Sequence, residues 1–264
     1  MWGEACDIAA LEDIARRRRL TLLFDAAHAL GCTAGGRPVG GFGAAEVFSL
    51  HATKVANAAE GGLVTTDDPL LASRLRLARN FGFAGQDRVV GLGINGKMSE
   101  LAAAMGLTSL ESLDEFVAVN RRNHGLYREH LAGVPGITVR RPDPAERHNF
   151  QYVALEVDAE LAGIDRDGLR DVLWAENVLA RRYFYPGVHR MEPYCSRDPE
   201  AWRGLPHTER LADCVLCLPT GTAVTPEATA TIGAIVRLAV AHGPEVARRL
   251  TASRGPAGRG GRQP

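Results

Sequence analysis

Lysine is nearly missing from this chain. Of the thirty-one basic residues among its 264, only Lys54 and Lys97 are lysines. Where arginine serves as the ordinary surface cation, a retained lysine becomes a candidate for a position that a guanidinium cannot fill. The clearest such role is a Schiff base, because arginine never offers a free neutral amine. Net charge is missing too, since thirty-one acids balance the bases. Nothing therefore argues for nucleic acid or an anionic membrane as partner. The local exception is the tetrad Arg16 to Arg19, at the end of a helical pattern where cations suit the helix dipole. No apolar run is long enough to span a bilayer. Residues 1–7 have neither the basic flank nor the apolar stretch of a signal peptide, and a cytoplasmic location is expected.

The five cysteines are odd in number and irregularly spaced, which excludes a regular disulfide framework. Cys214 and Cys217 form a C-x-x-C, yet no second ligand pair stands at zinc-site spacing. In their apolar surroundings they read as small hydrophobes. Nucleotide-binding signatures are absent as well. The glycine-rich stretch 31–43 precedes a strand instead of joining a strand to the helix it feeds, and no Gly-Lys-Ser/Thr occurs.

What the chain does contain is an alternation of helices and strands. Residues 7–18 predict a helix capped by Asp7. Leu20 to Phe24 read as a strand buried on both faces and ending at Asp25. Strands are expected at 45–50 and 62–66, and a helix from Pro69 to about Arg79. A long helical stretch from Ser99 to Ala132 links two domains. Beyond it, 151–157 alternate like a half-exposed strand, 165–176 are helical, and 226–250 hold a last helix. The expected domains are 1–112 (large, α/β), 113–250 (small, α+β) and a disordered tail, 251–264.

Three chemical features fall within thirty residues. Asp25 stands at a strand's carboxyl end with His28 three residues on, Ser49 ends another strand, and Lys54 follows by five. In open α/β sheets ligands bind beyond the carboxyl ends of strands. A pyridoxal-phosphate (PLP) site asks for these types: a lysine for the imine, a carboxylate on the pyridine nitrogen, donors for the phosphate. Each residue also has a plainer reading. Asp25 can cap a turn, His28 can be a satisfied core histidine, and His51 and His189 can be surface or packing residues. Lys97 reads as the neighbour of a structural turn.

The strings Phe24-Asp-Ala-Ala-His28, Phe48-Ser-Leu-His-Ala-Thr-Lys54, Asn57-Ala-Ala-Glu-Gly-Gly62 and Asn95-Gly-Lys-Met-Ser-Glu100 stand in order. In that order the chain resembles the DegT/DnrJ/EryC1/StrS sugar aminotransferases, from Trp2 to about Val240. The resemblance implies a fold-type-I PLP transferase with an incomplete large-domain sheet, acting as a homodimer with glutamate or glutamine as donor. It implies that Lys54 forms the internal aldimine and carries the proton, and that Asp25 pairs with the pyridine nitrogen. His28 stands where the family more often has glutamine near the ring. Ser49 would bind the phosphate, and Asn95 would reach the phosphate of the partner subunit's cofactor. His-Ala-Thr-Lys54 with Glu60-Gly-Gly resembles enzymes aminating C4 of nucleotide-linked 4-keto-6-deoxy sugars such as dTDP-4-keto-6-deoxyglucose. So does the segment from Arg181 to Tyr194, in which His189, and in the first motif His51, would face the sugar nucleotide.

The same resemblance implies a missing wall. The family's upstream part supplies a helix terminus for the phosphate and a side chain stacked on the ring. The chain as written is therefore expected to expose an apolar sheet edge and to be a poor enzyme or none. Two readings stay open: an aminotransferase whose true start lies upstream, or a catalytically inactive remnant serving at most as a binding or dimerisation partner.

Overall fold

The computed structural model describes residues 1–254. They divide into two compact units, 1–121 with 142–151, and 122–141 with the rest from 152. The division in the long helical stretch thus falls after Arg121, beyond the expected boundary at 112, and 142–151 return to the first unit.

The first unit opens with helix α1 (Ile8–Arg18), where the Asp7 carboxylate accepts the Ala10 N–H at 3.0 Å. Arg16 to Arg18 occupy its last turn, as the dipole favours. Strand β1 (Leu23–Asp25) follows, then a small hairpin, β2 (Thr33–Ala34) with β3 (Arg37–Pro38), inside the expected glycine loop. Strands β4 (Ala45–Ser49) and β5 (Gly62–Thr65) complete a three-stranded sheet in the order β1-β4-β5. β1 runs parallel to β4, and β5 antiparallel to it. Helix α2 (Pro69–Ala78) is capped by Asp68 with Pro69 in its first turn, and α3 (Glu100–Glu111) by Ser99. Ser112 leaves helical geometry, so the predicted single helix is two, α3 and α4 (Leu113–His130).

The sheet has two unlike faces because side chains alternate along a strand. Phe48 and Leu63 pack on one face against Ala26, Ala29, Cys32, Leu30 and Val39 of the loop after β1. Glu46 shares that face and is buried, its carboxylate accepting N–H bonds from Gly40 (2.5 Å) and Phe42 (2.7 Å). Leu23, Asp25, Val47, Ser49 and Val64 lie on the other face by register. There Leu23 is 59% exposed, Val47 45% and Val64 49%. The expectation that β1 is buried on both faces is therefore wrong: only its Phe24 side has a covering layer.

The second unit holds β6 (Ile137–Val139), β7 (Val153–Val157), helices α5 (Ala159–Ala162), α6 (Arg166–Ala175), α7 (Tyr194–Arg197) and α8 (Pro206–Cys214), β8 (Val215–Leu218), α9 (Pro226–Ala241) and α10 (Gly243–Arg254). Its antiparallel sheet runs β6-β7-β8. Val153, Leu155 and Val157 face a core with Leu169 and Leu173 of α6 and Ile232 and Val236 of α9. β7 is more buried than its alternation predicts. It is the central strand, Ala154 on its second face is buried, and Glu156 there is paired with Arg140 and Arg210. Gly136, before β6, has φ +69, and a Cβ there would lie 2.5 Å from Ala162 N and Asp158 O. Only glycine fits both constraints. Cys217 packs within β8, where burial pushes its thiol up to about 12.

The predicted last helix is two, α9 and α10, and α10 continues through Arg254. The tail expected from 251 is therefore helical over its first four residues, and the remainder of that expectation lies outside the described residues. No helix among the described residues is long and apolar enough to cross a membrane.

Candidate active site

The carboxyl ends of β1 and β4 carry the first unit's chemistry. β1 ends at Asp25, whose carboxylate accepts the Ala27 N–H at 3.0 Å and so fixes the turn that carries His28. The plain reading of Asp25 as a turn cap thus holds, and it uses one carboxylate oxygen. Register places Asp25 opposite Val47, so Ser49, two residues on, projects on the same face. The Ser49 hydroxyl accepts the His51 N–H at 3.3 Å and keeps its own proton to donate.

The segment after Ser49 is pinned by its backbone. Leu50 donates to Gly61 O, Ala58 to Leu50 O, and Lys54 to His51 O, at 2.8–2.9 Å. Val55, Ala56 and Ala58 are buried beneath it. The two lysines differ sharply in this setting. Lys97 Nζ donates to Asn95 Oδ1 at 2.7 Å and lies 4.3 Å from the centre of the Phe81 ring. Lys54 Nζ has no hydrogen bond or ion pair among the described residues, and its half-burial pulls its pKa down, with Asp25 opposing. A desolvated amine near a carboxylate is the electrostatic setting of a nucleophilic lysine.

His28 completes the group. Burial pushes it down to about 4 from 6.5, the Lys54 charge adds to the shift, and Asp25 opposes it. Its ring is neutral at pH 7, and Nδ1 accepts the Trp2 N–H at 3.3 Å. An unfolded chain takes up this proton near 6.5, the folded one only near 4. Stability is therefore expected to fall as pH drops through that window, because the unfolded state binds more protons there. An NMR titration of the His28 imidazole should show the low midpoint. A His28→Gln variant should lose this part of the acid sensitivity in urea unfolding. A midpoint near 6.5 would show that the ring is not buried as described.

The other predicted residues are placed differently. His51 is exposed, 2.9 Å from Thr53 Oγ1 and 3.5 Å from Glu60. Asn95 is exposed, bridges to Asn80, and accepts from Lys97. His189 belongs to the second unit, in the 3-10 turn Val188–Arg190, where its ring pairs with Glu209, also bonded by Arg190. Asp25, His28 and Lys54 are thus coupled electrostatically, and Ser49 shares the Asp25 face.

Three polar residues beside these loops escaped the sequence reading: Glu46, Asn149 and Gln151, all buried. An acid inside the apolar run of β4 was a usable signal for Glu46. Asn149 and Gln151 had none, since amides flanking a strand read as solvent-facing until a partner far along the chain is known.

The residues fit PLP by their chemistry: a desolvated amine that is unpaired among the described residues, a carboxylate with an oxygen to spare, and a donor hydroxyl on the same sheet face. The sequence signature of the DegT/DnrJ/EryC1/StrS aminotransferase family matches residues 1–237. The dTDP-4-amino-4,6-dideoxy-D-glucose transaminase of Shigella dysenteriae is 34% identical over 218 residues, 83% of this chain and 59% of that protein. The GDP-perosamine synthase of Caulobacter vibrioides is 34% identical over 198 residues, 74% of this chain and 53% of that protein. Among solved structures, DesI in the presence of its TDP-sugar product superposes with a TM-score of 0.86 at 49% identity, over 95% of this chain and 63% of that one. The fold is the α/β type-I aminotransferase architecture, as the resemblance implied. The chain spans about three-fifths of the length of these relatives.

Proposed function

The chain belongs to the DegT/DnrJ/EryC1/StrS aminotransferase family, and from that premise we propose that it serves PLP-dependent amination of a nucleotide-linked keto-deoxy sugar. The substrate we favour is dTDP-4-keto-6-deoxyglucose, aminated at C4 with glutamate or glutamine as donor. The observation that carries this reading is Lys54, whose amine has no partner among the described residues, is desolvated, and lies in the field of Asp25. The names of the similar proteins support the substrate class: a dideoxyglucose transaminase, a perosamine synthase and an enzyme solved with a TDP-sugar product.

PLP, when bound, supplies an electron sink for the carbanion formed during amino transfer. The residues then have separate tasks. Lys54 Nζ would hold the cofactor and, as a desolvated amine, would move the proton at the reacting carbon. Asp25, which spends one oxygen on the Ala27 N–H, would keep the ring nitrogen protonated. Ser49 would donate to the phosphate, and Asn95 would reach the phosphate bound by a second subunit of a homodimer. His28, neutral, would stand near the ring. His51 and His189 are the side chains proposed to face the sugar nucleotide.

The test offers glutamate and glutamine with dTDP-linked and GDP-linked 4-keto-6-deoxy sugars and follows PLP-dependent amine formation. Turnover with the dTDP sugar is expected to exceed that with the GDP sugar. Absence of transfer from every pairing, also when the chain is joined to the N-terminal part of a relative, would overturn the catalytic reading. It would favour a second one, a binding or dimerisation partner without activity, for which the exposed Leu23, Val47 and Val64 speak.

A further inference from the structure

Residues 142–151 return to the first unit about ninety residues after Lys54, and they bring two buried amides with them. Asn149 is fully buried. Its Nδ2 donates to His28 O at 2.9 Å and to Leu30 O at 3.0 Å, holding the turn that follows Asp25. Its Oδ1 accepts the Gln151 N–H at 3.1 Å. Its own carbonyl accepts from Asn120 Nδ2 at 3.4 Å. Gln151 is 8% exposed, and its Oε1 accepts the Val55 N–H at 3.2 Å, at the peptide immediately after Lys54. The other end of that amide, Nε2, is buried and has no partner among the described residues.

These contacts form a continuous line from the carbonyl of His28 through two side chains to the backbone of the Lys54 loop. We infer that Asn149 and Gln151 are positioning residues, a clamp that fixes the separation between the Asp25–His28 turn and the peptide bearing Lys54. The inference rests on the reading of Asp25 and Lys54 as the two groups that must meet one cofactor. Pairing of β1 with β4 fixes the strand ends at Asp25 and Ser49, but His28 and Lys54 lie three and five residues beyond them, where the ladder no longer holds the two loops together. Misplacement of a reacting group by about 1 Å is costly in rate, so a buried clamp has a task here beyond packing. The orphaned Nε2 points the same way. A buried donor without acceptor is unfavourable, and an apolar side chain would avoid it. The Val55 N–H takes the oxygen that this glutamine brings.

The test uses the chain without cofactor. Amide exchange at Val55 and the pH profile of Lys54 acylation are measured in the parent and in Gln151→Met, with Lys97 in the same digest as reference. Methionine keeps the volume and removes both ends of the amide. In the parent the Val55 amide should exchange slowly. In Gln151→Met it should exchange about fivefold faster or more, as expected for one lost hydrogen bond. The acylation midpoint of Lys54 should move upward in the variant, because a released loop gives the amine more water. A Lys54 profile that stays put while Val55 opens would reduce the contact to ordinary stability and overturn the proposal. Fast exchange at Val55 in the parent would overturn it even if Gln151→Met fails to fold. Since neither readout involves PLP, a chain that proved unable to bind PLP would sink the aminotransferase reading and leave this result standing.

Discussion

In the chain joined to the N-terminal part of a relative, Lys54→Ala should remove amino transfer almost completely, by roughly 10⁴-fold or more, as for loss of a covalent catalytic group. Lys97→Ala should leave most of it. The expectation follows from the contrast between the two amines: Lys97 is occupied by Asn95 and the Phe81 ring, whereas Lys54 is desolvated and unpaired among the described residues. Lys54→Arg should be as inactive as Lys54→Ala, because a guanidinium keeps the charge and never gives a neutral nucleophile. Reduction of the PLP-treated chain with borohydride, followed by peptide mapping, should place the pyridoxyl group on Lys54 in the parent and nowhere in either Lys54 variant. A label on Lys97, or shared equally between the two lysines, would end the assignment. So would appreciable turnover by Lys54→Arg.

In the same joined form, Asp25→Asn is expected to have the next largest effect, a loss of about a hundredfold to a thousandfold in turnover, the range for a lost preorganised electrostatic partner. The substitution is chosen because asparagine still accepts the Ala27 N–H with its side-chain oxygen. The turn should therefore survive, and only the charge is removed. Two readouts should move in opposite directions. Amino transfer collapses, because nothing anionic holds the proton on the ring nitrogen. Covalent capture at Lys54 near neutral pH should persist or quicken, because Asp25 is the group that raises the Lys54 pKa against burial. Single-turnover rates within a few-fold of the parent would mean that Asp25 is a turn cap and no more.

Much of this site could be read from the chain alone, because its landmarks are local. Asp25 with His28, and Ser49 with Lys54, are separated by three and five residues, so one strand end and one loop bring each pair together without tertiary information. Helix starts at Asp7, Ser99 and Asp165 were legible for the same reason, since a cap satisfies amides within its own first turn. Burial was read less well. Leu20 to Phe24 are apolar enough for a strand covered on both faces, yet the Leu23 side is open. The alternation in β7 suits a half-exposed strand, yet arginines on Glu156 and the small Ala154 let its second face close. Both errors come from treating periodicity as a measure of cover, when cover depends on what else packs there. The break at Ser112 likewise interrupts a pattern whose apolar spacing continues across it.

The interleaving of the two units sets an order of events on the growing polypeptide. The chain passes from one unit to the other after Arg121, after Arg141 and after Gln151. During synthesis the strand ends bearing Asp25 and Lys54 leave the ribosome long before the amides that fasten them. Those contacts span 121 and 96 residues and close late, since long loops are slow to form. A fragment ending at Arg121 would hold both landmarks and neither fastener. Dissection after Arg121 should therefore free the lysine loop, although the cut falls far along the chain from it.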